Sequence, residues 1–135
     1  MRTVRSAGVD ARTHVTGLLT GRDRLEALAD ADVVAYAGEQ EIFGIVPLEA
    51  LLCGTPVVVA DDSGCGELIG GVGGGKVVRA GDATALATGL AEILARPDEW
   101  RAEAAAAAAR VRARFGSDVV AERLEGIYRT VIAER

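Results

Sequence analysis

The chain has 135 residues, enough for one domain with one hydrophobic core but not for two. Its formal net charge of −5 argues against nucleic acid or an anionic membrane surface as a general partner. No apolar run is long enough to span a bilayer and the N-terminus does not look like a signal peptide, so we expect no transmembrane segment and a cytoplasmic location.

The first part of the chain predicts a strand, a helix and a second strand. His14-Val15 is assigned to a short strand. Apolar residues at helical spacing predict a helix over Arg22 to Ala31, with Leu25 and Leu28 on one face. The run Val33 to Tyr36 is then typical of a strand.

Residues 41–59, with the sequence EIFGIVPLEALLCGTPVVV, predict a turn, a helix and a buried strand in succession. Gly44 suits the point where a loop enters a helix, and Pro47 fits the first helical turn, where its missing N–H is not needed. Gly54 suits a left-handed C-cap. The apolar run Pro56 to Ala60 is typical of a strand buried on both faces, as in parallel sheets.

The second part of the chain predicts one more strand and three helices. The glycine cluster Gly70 to Gly75 is interpreted as a flexible surface turn, because its spacing is not that of a phosphate-binding loop. A strand is predicted at Lys76 to Arg79. A helix is predicted over Asp82 to Ala95, capped by Asp82, and its inward-facing residues are Leu86, Leu90, Ile93 and Leu94. A second helix is predicted over Asp98 to Arg114. A third is predicted over Ser117 to Ala133, with apolar residues at helical spacing: Val120, Leu124, Ile127 and Val131.

Strands that alternate with helices predict an α/β fold with a parallel sheet and helices on both of its faces. Ligands of such sheets bind beyond the carboxyl ends of the strands. The loop that contains Gly44 is expected at that edge. A helix N-terminus there has free N–H groups that suit phosphate.

Residues 38–60 resemble the signature of family 4 of the glycosyltransferases, retaining enzymes of the GT-B fold. The resemblance rests on Glu41 and Glu49 with seven residues between them, on Phe43-Gly44 inside that interval, and on the continuation Cys53-Gly54-Thr55-Pro56-Val57. The similarity continues through Gly66-Glu67-Leu68-Ile69, Lys76-Val77-Val78 and Gly81-Asp82 to the end of the chain. The resemblance implies a Rossmann-like sheet that is the later part of a donor-binding domain and ends in C-terminal helices.

The resemblance implies a role for each matching residue. Glu49 would accept hydrogen bonds from the ribose hydroxyls of a nucleotide-diphosphate sugar, and Glu41 would lie beside the donor sugar as the catalytic residue. The donor-binding segment would be Phe43, Gly44, Ile45 and Val46, with the backbone N–H groups of the last three around the diphosphate. No cofactor is implied beyond the nucleotide sugar, which is a substrate.

The carboxylates in this half of the chain allow more than one interpretation. Glu41 and Glu49 can be ordinary surface carboxylates, but the surrounding motif favours the site. Glu67 is interpreted as a residue that favours the N-terminus of its helix rather than as a donor contact. Asp61 and Asp62 are interpreted as loop carboxylates, and no metal site is predicted. Neither cysteine has metal-ligand spacing.

The resemblance covers most of the chain and is weakest before about Gly21. It implies that residues 1–135 are a single partial domain, without the acceptor domain or the basic pair that neutralises the donor diphosphate. The chain alone is therefore expected to be nearly inactive and to need an upstream domain or a second chain, as a fragment, a truncated product or half of a split enzyme. Two alternatives to a glycosyltransferase portion remain open. They are a non-catalytic nucleotide-sugar binding module and a degenerate interaction domain that pairs through its sheet edge and last helix.

Overall fold

A computed structural model describes residues 2–38, 43–62 and 64–134 of the chain. The helices are α1 (Arg2–Ser6), α2 (Gly21–Asp30), α3 (Ile45–Leu52), α4 (Gly64–Val72), α5 (Ala83–Ala95), α6 (Pro97–Phe115) and α7 (Ser117–Ala133), with a short 3-10 helix at Asp10–Arg12. The strands are β1 (Val34–Tyr36), β2 (Val57–Ala60) and β3 (Gly75–Val78).

The three strands form one parallel sheet in the order β1-β2-β3. Val34 pairs with Val57, which pairs in turn with Gly75. All four residues of the central strand β2 are buried. The apolar run that predicted a strand covered on both faces is therefore confirmed.

Helices cover both faces of the sheet. The side chains of Val57 and Val59 pack in one core with residues of α3, α4 and α6, whose largest fully buried members include Leu51 and Ile69. On the opposite face, Gly89 of α5 lies close to Val58. The predicted α/β fold class, a Rossmann-like parallel sheet that ends in C-terminal helices, is confirmed.

The predicted ends of several elements agree with the structure. α7 spans the predicted residues, and α2 differs by one residue at each end. Asp82 caps α5 through its side chain, which accepts a hydrogen bond from the N–H of Ala85 at 2.9 Å. Gly54 has a φ of 81°, as its predicted role at the end of α3 requires.

Two predictions, the strand at His14-Val15 and the inward direction of Leu94, are wrong. His14-Val15 is not a strand, because residues 13–20 have no regular structure and Leu18 is 91% exposed, with no partner strand in the described residues. Leu94 does not face inward, since it is exposed while Ile93 is fully buried. Neighbouring helical residues point about 100° apart, so the burial of Ile93 directs Leu94 toward solvent.

The glycine cluster is not a flexible surface turn. Gly70 and Gly71 belong to α4 and Gly75 opens β3, so only Gly73 and Gly74 form the connection. Gly74 is buried, and a Cβ atom on it would lie 2.5 Å from Cδ2 of Leu51 and 2.6 Å from Cβ of Ala107. Position 74 requires glycine because the backbone passes this close to α3 and α6 there.

Candidate functional site

The N-terminus of α3 lies at the carboxyl edge of the sheet. Gly44 is the N-cap residue and has a φ of 76°, in the left-handed region that favours glycine. Having no side chain, Gly44 cannot cap the first turn of α3, whose N–H groups have no partners within the helix. Pro47 lies in that first turn and is buried, as predicted.

The N-terminal turns of α3 and α4 lie against each other. A Cβ atom on Gly44 would be 2.5 Å from Sγ and 2.8 Å from Cβ of Cys65, the second residue of α4. Cys65 is buried and Gly44 is itself buried. The close approach brings the positive ends of two helix dipoles together at this edge.

Glu49 lies one turn beyond Ile45 on the same face of α3. Residues four apart in a helix share a face and are separated by about 6 Å along the axis. Ile45 is 63% exposed and the Glu49 side chain is 22% exposed, so this face is open to solvent at its N-terminal end and partly covered at Glu49. A ligand can therefore contact the helix terminus and the carboxylate at once.

Glu49 is bound by Arg24 of α2. Nη1 of Arg24 lies 2.5 Å from Oε2 of Glu49, an ion pair with a hydrogen bond between residues 25 positions apart. Sequence reasoning missed Arg24, because neither its spacing nor its neighbours point to a partner on another helix. No local pattern gives such a signal.

Phe43 and Glu67 line a cavity of about 230 Å³ together with Gly64, Leu68 and Arg114. The ring of Phe43 packs edge-to-face on Phe115, with centroids 5.9 Å apart. Arg114 lies with its guanidinium carbon 5.2 Å from the centroid of Phe115. The structure therefore places Phe43 beside a cationic side chain from α6, which the sequence did not reveal as a neighbour.

A second cavity, of about 220 Å³, opens at the carboxyl ends of all three strands. It is lined by Ala37 after β1, Ala60 of β2 and Val78 of β3, and by residues of the turn into α5. Asp61, which follows β2, accepts a hydrogen bond from the N–H of Ala80 at 2.8 Å. Asp61 thus joins two loops at this edge, which agrees with its interpretation as a loop carboxylate.

The structure brings together Gly44, Ile45, Val46 and Glu49 on one short helix and places Phe43 at its entrance. The predicted catalytic residue Glu41 lies outside the described residues. The prediction that Glu67 belongs to the beginning of a helix is confirmed, since it lies in the first turn of α4. Among the described residues, no helix is both long and apolar enough to cross a membrane.

The model of the family described as glycosyl transferases group 1 matches residues 2–111. The chain belongs to this family. A D-inositol 3-phosphate glycosyltransferase from Saccharomonospora viridis is 35% identical over 126 residues, which are 93% of this chain and 29% of that protein. The chain therefore spans less than a third of the length of this curated relative.

Two solved structures share the fold. The sucrose-phosphate synthase from Thermosynechococcus elongatus superposes with a TM-score of 0.86 at 28% identity, over 99% of this chain and 34% of that one. Anabaena HepE in complex with UDP superposes with a TM-score of 0.86 at 25% identity, over 96% of this chain and 35% of the other. Membership in a group 1 glycosyltransferase family agrees with the resemblance found in the motif.

Proposed function

We propose that this chain is the donor-binding portion of a retaining, family 4 glycosyltransferase, which transfers a sugar from a nucleotide-diphosphate sugar to an acceptor. The observation that carries this proposal is the arrangement on α3, where an N-terminus without a side-chain cap and Glu49 share one face a single turn apart. The relative HepE, which has been solved with UDP, supports a nucleotide as the ligand class.

Each part of a nucleotide sugar has a counterpart in this arrangement. The diphosphate meets the N–H groups of Gly44, Ile45 and Val46, where the helix dipole favours an anion. The ribose hydroxyls donate hydrogen bonds to Glu49, about 6 Å further along the helix. Glu41 then acts beside the donor sugar as the catalytic residue.

The acceptor and the cations that balance the leaving diphosphate come, in this proposal, from an upstream domain or a second chain. The chain is then one partial domain, cytoplasmic, and nearly inactive when alone. Its family membership and its coverage of 29% of a curated relative support this division. Charge on a departing diphosphate needs preorganised cationic groups, which the resemblance assigns to a segment that this chain does not match.

Replacing Glu49 with alanine should weaken the binding of the preferred donor by more than about 1 kcal/mol, the scale of a lost charged hydrogen bond. The measurement is a calorimetric titration of the wild type and the variant with UDP- and GDP-sugars. Glu99→Ala is the control, because Glu99 is an exposed carboxylate in the first turn of α6 that pairs with Arg96. Equal weakening by both variants would contradict the proposal.

A second candidate, an interaction domain, is favoured by the outer face of α7. Its apolar residues are exposed, which is unusual for so many on one helix: Val120, Leu124, Ile127, Tyr128, Val131 and Ile132. Within the described part of the chain, β1 also pairs only with β2 and leaves its other edge open. Concentration-dependent self-association in sedimentation, unchanged by any nucleotide and accompanied by no calorimetric binding, would favour this candidate over donor binding.

A further inference from the structure

Helix α2 is held firmly against the segment that carries Glu49. Oγ1 of Thr55, which is fully buried, donates a hydrogen bond to the carbonyl oxygen of Leu28 at 2.6 Å. At the end of α2, Nη2 of Arg101 donates to the carbonyl oxygen of Ala31 at 3.2 Å. Leu28 itself packs against the main core. The backbone of α2 therefore provides a fixed base for the side chains that it presents to α3.

Arg24 and Glu49 form the contact between the charged side chains of these two helices. Their side chains are 43% and 22% exposed, so the pair is partly shielded from water. Arg22, two residues earlier, makes a different kind of pair, with Glu26 of the same helix and with side chains 89% and 55% exposed. Of these two pairs, the one made by Arg24 holds a carboxylate on another element.

The bond from Arg24 engages Oε2 of Glu49. An ionised carboxylate has about four acceptor positions on its two oxygens, so one guanidinium N–H leaves capacity for the two hydroxyls of a ribose. A glutamate on a helix has several rotamers, and an ion pair from a fixed helix selects among them.

We propose that Arg24 is a positioning residue for nucleotide recognition, which holds the Glu49 carboxylate in the orientation that accepts the ribose hydroxyls. This inference rests on the proposed function, since it assumes that Glu49 contacts the ribose. Arg24 itself need not touch the nucleotide. A simple structural tie between α2 and α3 is the competing explanation.

The two explanations differ in what they predict for the ribose 2′-hydroxyl. A structural tie affects all ligands alike, whereas a residue that orients Glu49 affects only the ligands whose hydroxyls Glu49 contacts. The quantity to measure is therefore the ratio of dissociation constants for 2′-deoxy-UDP and UDP, or for the guanosine pair if the chain prefers that base. Thermal unfolding of each variant reports stability separately.

The wild type should bind UDP about tenfold more tightly than 2′-deoxy-UDP, the scale of a hydrogen bond to a charged group. Glu49→Gln and Arg24→Met should each lower that ratio to about threefold or less, a loss of at least half of the discrimination. Arg24→Lys keeps one charged donor, so its ratio should lie between those of wild type and Arg24→Met. Arg22→Met, on the same helix, should leave the ratio unchanged.

The failure of this inference is distinguishable from the failure of the proposed function. Suppose that Glu49→Gln lowers the ratio of dissociation constants for 2′-deoxy-UDP and UDP but Arg24→Met keeps the wild-type ratio. That result would overturn the role of Arg24 without contradicting the proposed donor site. If the wild type binds neither UDP nor GDP, both the role of Arg24 and the proposed donor-binding function are overturned. Because Arg24 is partly exposed, its variants should fold. If Arg24→Met does not fold, the ratio of dissociation constants is measured for Arg24→Lys instead.

Discussion

Replacing Gly74 with alanine should lower the free energy of unfolding by about 3 kcal/mol, since two costs add at this residue. A left-handed backbone costs a non-glycine residue roughly 1–2 kcal/mol, and Gly74 has a φ of 79°. Overpacking a core costs about 1–3 kcal/mol more. The new Cβ atom would meet Leu51 and Ala107, and Cα of Ala104 at 3.2 Å, all fully buried. Urea denaturation followed by circular dichroism measures the loss.

Gly73 supplies the matched control for this substitution. Its φ of 74° is almost the same, so alanine there carries the same backbone cost. The three atoms nearest to a Cβ atom on Gly73 would be side-chain ends of Glu103 and Arg110, which are partly exposed and can move aside. Gly73→Ala should therefore cost about 1–2 kcal/mol. Equal losses for both variants would show that packing against α3 and α6 does not matter at Gly74.

Replacing Gly44 with alanine should cost about 3 kcal/mol of stability and should also abolish measurable nucleotide binding, because it disturbs the N-terminus of α3. The left-handed φ of 76° contributes roughly 1–2 kcal/mol. The contact with Cys65 contributes the rest, since Cys65 is buried and its Cβ, which no change of rotamer moves, would lie 2.8 Å from the new Cβ atom. Relief of that contact requires α3 to move away from α4, which displaces the N–H groups proposed to bind the diphosphate.

Gly54, at the other end of α3, is the control that separates backbone strain from the contact with Cys65. Its φ is 81°, and a Cβ atom on it would have no heavy atom within 4 Å. Gly54→Ala should lower stability by about 1–2 kcal/mol through backbone strain alone and should leave the affinity for UDP unchanged. Denaturation and calorimetry on the two variants give both numbers. Retained UDP binding in Gly44→Ala would argue against the N-terminus of α3 as the diphosphate site.

Helices α2, α3, α5, α6 and α7 and the central strand were predictable because their signals are local, whereas the sequence predicted neither α1 nor the full length of α4. Asp82 as an N-cap, Gly54 as the left-handed residue that follows α3, and the apolar run of β2 act within a few residues of their own position. The periodic apolar residues of α7 gave its ends correctly. The same periodicity did not show whether that face is buried, and in the described structure it is exposed.

The structure of the glycine cluster Gly70 to Gly75 could not be predicted from local sequence. Glycines in succession indicate a loop on general grounds, yet here two complete a helix and one begins a strand. At Gly74, what requires glycine is the short distance to α3 and α6, which belong to other parts of the chain. Such distances depend on how helices pack on the sheet, and no periodicity in the segment reports them.

The sequence by itself determined the α/β class, the family and the candidate donor-binding segment, since each depends on residues that are consecutive or at helical spacing. The tertiary structure decided the surroundings of that segment. It placed Cys65 against Gly44 and Arg24 against Glu49, across 21 and 25 positions of sequence. These contacts arise only when separate helices pack on one sheet. Whether a carboxylate is solvated or held in place by an arginine is therefore a property of the packed fold.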